Sequence, residues 1–189
     1  MKERDDTKPL HGYIQIDDAY LGGKSRDGKR GRGASGKTPF IAAIATTEEG
    51  HPVAMKFNEV ARFTKQEVSS WAQKHIEAGS VITSDGLGCF PGVEDAACTH
   101  IPIKTGGGPA SVDIPDFKWV NTMIGNVKNS IRGSYHAISQ KHIPRYLAEF
   151  CYRFNRRFHL GEMVERFLYV AVRTGPMPQR LLKLAEIRW

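Results

Sequence analysis

A chain of 189 residues can bury one sizeable core and is short for two full domains. With 40% hydrophobic and 25% charged residues it has the composition of an ordinary globular protein, and no apolar run approaches the roughly 18 residues of a membrane span. A formal charge of +7 favours a polyanionic partner, nucleic acid ahead of a membrane surface; three cysteines without a C-x-x-C pair argue against a disulfide framework or a zinc knuckle.

The reduced cysteines and the polar start, which is no signal peptide, make the cytoplasm the expected location. Residues 1–11 form a charged, apolar-poor lead-in. Gly12 to Asp17 alternates like a half-buried strand that ends in Asp17-Asp18-Ala19-Tyr20-Leu21-Gly22-Gly23. From Lys24 to Lys37 the chain holds six basic residues (Lys24, Arg26, Lys29, Arg30, Arg32, Lys37) against the single acid Asp27. This Gly-rich stretch is either a solvated hairpin excursion or a DNA-contacting loop.

Thr38 to Thr46 is a short apolar run fit for a buried strand, Glu48-Glu49-Gly50 signals a turn, and His51 to Val60 reads as the next strand. Short connections predict an antiparallel meander. Thr64 is then a helix N-cap with Glu67 at the capping-box position; Val68, Trp71, Ala72 and His75 form the buried face, and Gly79 ends the helix. Ser80 to Gly86 is strand-like and ends in Asp85, and His100 to Lys104 is a further short strand. A Gly-rich loop, Thr105 to Pro109, leads to Asp116, which can cap the helix that follows.

In that helix Val120, Ile124, Val127 and Ile131 make an apolar stripe, with Asn121, Gly125, Lys128 and Arg132 on a neighbouring polar one. Seven residues are nearly two turns, so Asn121 and Lys128 face the same way, about 10 Å apart along the axis. Beyond Gly133 the chain is predicted helical. Ile143, Leu147, Phe150, Phe154 and Phe158 form one face, with Arg145, Arg153, Arg156 and Arg157 clustered on the rest. Gly161 ends that helix, Met163, Phe167 and Val170 mark another, and Pro176 and Pro178 stop it.

The order strand–strand–strand–helix–strand describes an α/β layer, a mixed sheet with packed helices. If the first strand lies beside the fourth, Asp17 and Asp85 converge. Neighbouring carboxylates repel unless a cation sits between them, and Mg²⁺ prefers such oxygens. Two ions held there could activate an attacking oxygen and stabilise the leaving oxygen of a phosphodiester. Taken alone, Asp85-Gly86 is also a common turn sequence.

The segments Ile16-Asp17-Asp18-Ala19-Tyr20-Leu21-Gly22-Gly23-Lys24, Thr83-Ser84-Asp85-Gly86 and Trp119-Val120-Asn121 with Lys128 carry a resemblance. So do Gly133-Ser134-Tyr135-His136 and the run from Lys141 to Arg157. Together, over Gly12 to Leu160, the chain resembles the ISXO2-like transposases of the IS1595 insertion-sequence family. The resemblance implies a ribonuclease-H-like mixed sheet flanked by helices, with a helical C-terminal portion. It also implies a D-D-E type site in which Asn replaces the third Glu. Thirty-five residues separate Asp85 from Asn121, a spacing familiar in that superfamily.

The roles implied are specific. Asp17 would bridge two Mg²⁺ (or Mn²⁺) ions, Asp85 would hold one, Asn121 would offer an amide oxygen to the other, and Lys128 would grip a phosphate. Asp18, where the family often has Glu, would be structural or a spare ligand. His136 and the arginines Arg132, Arg145, Arg153, Arg156 and Arg157 would contact the DNA backbone or the core edge, joining Lys24, Arg26, Lys29, Arg30 and Arg32; Arg153 and Arg156 could equally pair with Glu149. The reaction would be cleavage at transposon ends followed by 3′-hydroxyl attack on target DNA, by a dimer on paired ends. The implied organisation is a lead-in (1–11), the catalytic domain (12–160) and a helical extension (161–189).

Relatives of this kind usually carry an upstream recognition region. With 16 residues before Asp17 and no Cys among them, recognition of terminal repeats is expected to be weak, leaving salt-sensitive phosphate binding. Rival readings are a metal-dependent nuclease of the same fold, a shortened DNA-binding remnant without turnover, and a plain α/β structural domain.

Overall fold

The computed structural model describes residues 7–22, 36–103, 114–136, 138–176 and 178–179. Its strands are β1 (Tyr13–Leu21), β2 (Thr38–Thr46), β3 (Pro52–Glu59), β4 (Val81–Ser84) and β5 (Thr99–Pro102). They form one sheet in the order β3-β2-β1-β4-β5. β1 pairs antiparallel with β2, and β2 with β3, through short connections, as the predicted meander requires. β4 runs parallel to β1 and to β5. A parallel return needs a crossover, and helix α1 (Lys65–His75) supplies it between β3 and β4.

Strand alternation sorts the sheet into two apolar faces. On one, Ile14 and Ile16 of β1 pack with Val68, Trp71 and Ala72 of α1. On the other, Ala19 and Leu21 pack with Val120, Met123, Ile124 and Val127 of α2 (Lys118–Ser130) and with Ile143, Leu147 and Cys151 of α3 (Ile143–Asn155). The sheet is therefore flanked by helices on both sides, and β1, its central strand, feeds both cores.

Helix α1 buries Val68, Trp71, Ala72 and His75, the face predicted from spacing. Thr64 Oγ1 accepts from the Glu67 N–H at 3.3 Å, but the Glu67 carboxylate accepts from Ala61 N–H at 3.2 Å, so the return arm of the expected capping box lands three residues earlier. Gly79 does not end the helix; α1 stops at His75, and Gly79, at φ +84°, sits in the turn to β4.

Two further boundaries differ from expectation. α3 ends at Asn155, because the Asn155 amide is bound to the edge strand: it accepts from Met55 N–H at 2.8 Å and donates to Met55 C=O at 2.9 Å. Phe158 therefore falls beyond the helix and stands 81% exposed instead of extending its apolar face. Gly161 lies in the tight turn Leu160–Glu162 that leads into α4 (Met163–Arg173).

Candidate metal centre

The register between β1 and β4 builds the site. Tyr13 pairs with Val81 and Ile16 with Ser84, so the next step of the parallel ladder sets Asp17 beside Asp85. Asp17 does not end its strand as expected; β1 continues to Leu21 against β2, while β4 stops at Ser84. Past that point β1 is open on the β4 side, and Asp18 reaches the same space as its neighbour. Carboxylate oxygens of Asp17, Asp18 and Asp85 lie within 4.8 Å of one another, all three residues half-buried. Asp18, read from the sequence as structural or a spare ligand, is thus brought into the cluster with Asp17 and Asp85.

Local bonds orient these groups. Asp17 Oδ1 accepts from Asp18 N–H at 2.8 Å, and Asp85 Oδ1 accepts from Leu87 N–H at 3.0 Å, closing a turn over Gly86 at φ +78°. Ser84, fully buried, accepts from Gly86 N–H at 3.2 Å and contacts His100 Nε2 on β5 at 2.8 Å. Burial pushes the His100 pKa down, against a raising influence from Glu94.

Helix α2 is tied to the same strand. Asp116 does not cap it: Phe117 occupies the N-cap position with no side-chain cap of its own. Instead, Gln15 Oε1 accepts from Trp119 N–H at 3.0 Å and Val120 N–H at 3.1 Å, across the fold. Trp119 Nε1 donates to Gly50 C=O at 2.6 Å, fixing the helix start to the β2–β3 turn as well. Asn121 follows Val120 directly and is half-buried. Lys128, two turns on, lies at the surface, where desolvation lowers its pKa first; the Asp17 carboxylate raises it, Lys37 lowers it and Asp18 raises it. Lys128 is therefore within electrostatic reach of both β1 carboxylates.

The basic residues divide. Lys24, Arg26, Lys29, Arg30 and Arg32 lie outside the described residues. Arg132 is exposed in the π-helical segment Ile131–Tyr135 that continues α2, His136 follows at φ +56°, and Arg145 is half-buried in the first turn of α3. Arg153 pairs with Glu149 at 2.7 Å, and Arg156 lies 3.8 Å from Glu162 instead. Arg157 donates to the carbonyls of Pro52, Val53 and Phe154, and burial lowers its pKa. With Asn155, it occupies the outer edge of β3.

Sequence reasoning passed over Gln15 and Asn155. For Gln15 the half-buried alternation put the amide on the open face of the strand, and only the packing on that face buries it and calls for a partner. For Asn155 no signal existed, since its partner is the backbone of a strand 100 residues away.

A separate cavity of about 730 Å³ opens at the start of β1, lined among others by Pro9, Tyr13, Lys56 and Tyr152; the clustered carboxylates do not line it. Among the described residues no helix is long and apolar enough to cross a membrane. No curated protein matches the chain. The sequence profile of the ISXO2-like transposase domain matches residues 9–155, most of the chain. Sheet order, flanking helices and that match together identify the chain as a member of the ISXO2-like transposase domain family, an α/β fold of ribonuclease-H-like type whose members act on DNA in transposition and generally use divalent metal ions.

Proposed function

We propose that residues 12–160 are the catalytic domain of a cytoplasmic DNA transposase that cleaves transposon ends and joins the freed 3′ ends to target DNA, with residues 161–189 as a helical extension. The observation that carries this reading is the approach of the Asp17, Asp18 and Asp85 carboxylates to within 4.8 Å of one another, in a chain of this family. Carboxylates that close repel one another unless a cation lies between them, and an all-oxygen donor set fits Mg²⁺ or Mn²⁺.

In this reading Asp17 and Asp85, with the Asn121 amide oxygen, would hold the ions. Bound there, the ions would supply the activation of the attacking oxygen and the stabilisation of the leaving oxygen in an in-line displacement. Asn121 is neutral and cannot act as a base. Asp18 makes up the missing charge, so the site keeps three carboxylates. Lys128 holds a phosphate near the scissile bond as a point charge, and its position beside Asp17 and Asp18 supports that role. Backbone contacts to DNA fall to the 24–32 stretch and to Arg132 and Arg145; Arg153, Arg156 and Arg157 have partners within the chain and would contribute less. Two copies would act on paired ends.

The test is a strand-transfer assay on a terminal-repeat oligonucleotide with Mg²⁺ or Mn²⁺. A joined product from the wild type, lost in Asp17→Ala and Asp85→Ala while DNA binding persists, is the expected result. Nicking without joining identifies a nuclease of the same fold, binding without turnover a non-catalytic remnant, and full activity in either variant ends the assignment.

A further inference from the structure

Among the described residues, nothing covers the apolar side of helix α4. None of its residues is buried. Val164, Phe167, Leu168, Ala171 and Val172 follow the i, i+3, i+4, i+7, i+8 spacing of one helical stripe. Phe167 is 72% exposed and Val172 82%; Val164 and Leu168 are more than half exposed, as are Phe158 and Leu160 just before the helix. These side chains present on the order of 800 Å² of apolar surface, counting about 150–250 Å² for a whole aromatic side chain. That exceeds the roughly 300–600 Å² of the largest patch on a typical monomer and equals one partner's share of a standard interface, about 800 Å².

We propose that α4, with Phe158 and Leu160 ahead of it, is the surface through which two copies of this chain associate. The area is what a stable dimer needs from each partner, and a two-fold contact uses the same patch twice. The charges favour this occupant. Between residues 158 and 174 there are two acids, Glu162 and Glu165, and two bases, Arg166 and Arg173, on a chain of net charge +7. A second copy therefore meets no local repulsion. A nucleic acid or an anionic bilayer would call for a basic polar face, and this one is balanced: Arg166 is engaged by Glu162 at 3.2 Å and the Arg173 guanidinium lies over the Tyr169 ring at 4.4 Å. The inference rests on the exposed stripe and not on the cleavage chemistry, and its test uses neither DNA nor metal, so that either reading can fail without the other.

Sedimentation equilibrium on the full chain, over a micromolar dilution series, is expected to give twice the monomer mass with little difference between low and high salt. Phe167→Glu, and separately Val172→Glu, are expected to sediment as monomers with unchanged far-UV circular dichroism. Ile101→Glu, at a 45% exposed position on β5, is expected to stay dimeric. A wild type that is monomeric throughout, or a dimer that survives both α4 substitutions, overturns the proposal. So does a monomer that co-sediments with phosphatidylcholine–phosphatidylglycerol vesicles, which would make the stripe a membrane contact.

Discussion

Gln15 Oε1 accepts the backbone N–H of Val120 at 3.1 Å, and through that bond the strand carrying Asp17 holds the helix carrying Asn121. A helix start leaves its first N–H groups without intrahelical partners, and Val120 in the first turn of α2 is fully buried, where water does not replace the bond. Gln15→Leu is expected to cost about 1–3 kcal/mol by leaving the N–H groups of Trp119 and Val120 unsatisfied. Gln15→Glu keeps the acceptor and should retain most of the stability. Urea denaturation of both variants measures the difference; equal stability of Gln15→Leu and wild type would remove Gln15 from this role.

Carboxylate oxygens within 4.8 Å of one another repel when no cation lies between them. Asp18→Asn is therefore expected to raise the metal-free melting temperature by about 2–4 °C and to weaken Mn²⁺ binding. Calorimetric Mn²⁺ titration beside a thermal melt checks both signs. Unchanged Mn²⁺ affinity would leave Asp18 with a structural role alone.

Lys128 should act on DNA through charge. Lys128→Gln is expected to lower DNA affinity at low salt and to reduce the slope of log K against log salt by about 1, as the loss of one phosphate contact does. Fluorescence anisotropy on a duplex at several salt concentrations measures it. A slope equal to that of the wild type would remove the phosphate contact.

Burial holds His100 below its usual pKa of 6.5, so the native state binds fewer protons than the unfolded chain near that pH. The stabilisation is complete above pH 6.5 and is lost as the pH falls through 6.5 towards the lowered native value. Melting temperatures from pH 7.5 to 5 should fall for the wild type and fall less for His100→Gln. Parallel pH profiles would show that the imidazole contributes nothing to this window.

Asn155 satisfies both backbone groups of Met55 on an edge strand. Asn155→Ala is expected to cost about 1–3 kcal/mol and to increase aggregation on warming, since an unblocked edge is a template for further strands. Light scattering during a thermal ramp, together with urea melts, tests both effects.

Much of the fold was legible locally. β2 spans Thr38–Thr46 as read, because a short run with apolar Phe40 to Ala45 at its centre, followed by a turn signal, fits a strand buried on both faces. The buried face of α1 followed from spacing, and the candidate site residues Asp17, Asp85, Asn121 and Lys128 from chemistry and resemblance. Periodicity and residue chemistry are properties of neighbours along the chain, and a sequence displays them directly.

What the tertiary structure decided depends on groups far apart in sequence. It ended β4 at Ser84 and so let Asp18 join Asp17 and Asp85. It replaced the expected Asp116 cap with Gln15, more than a hundred residues upstream of the helix it caps. It ended α3 at Asn155 by binding that side chain to Met55, and so left Phe158 exposed where its spacing had promised burial. In the last two cases a backbone group found its hydrogen-bond partner across the fold, and in the first a carboxylate found its neighbours through strand register; a local pattern holds no record of either.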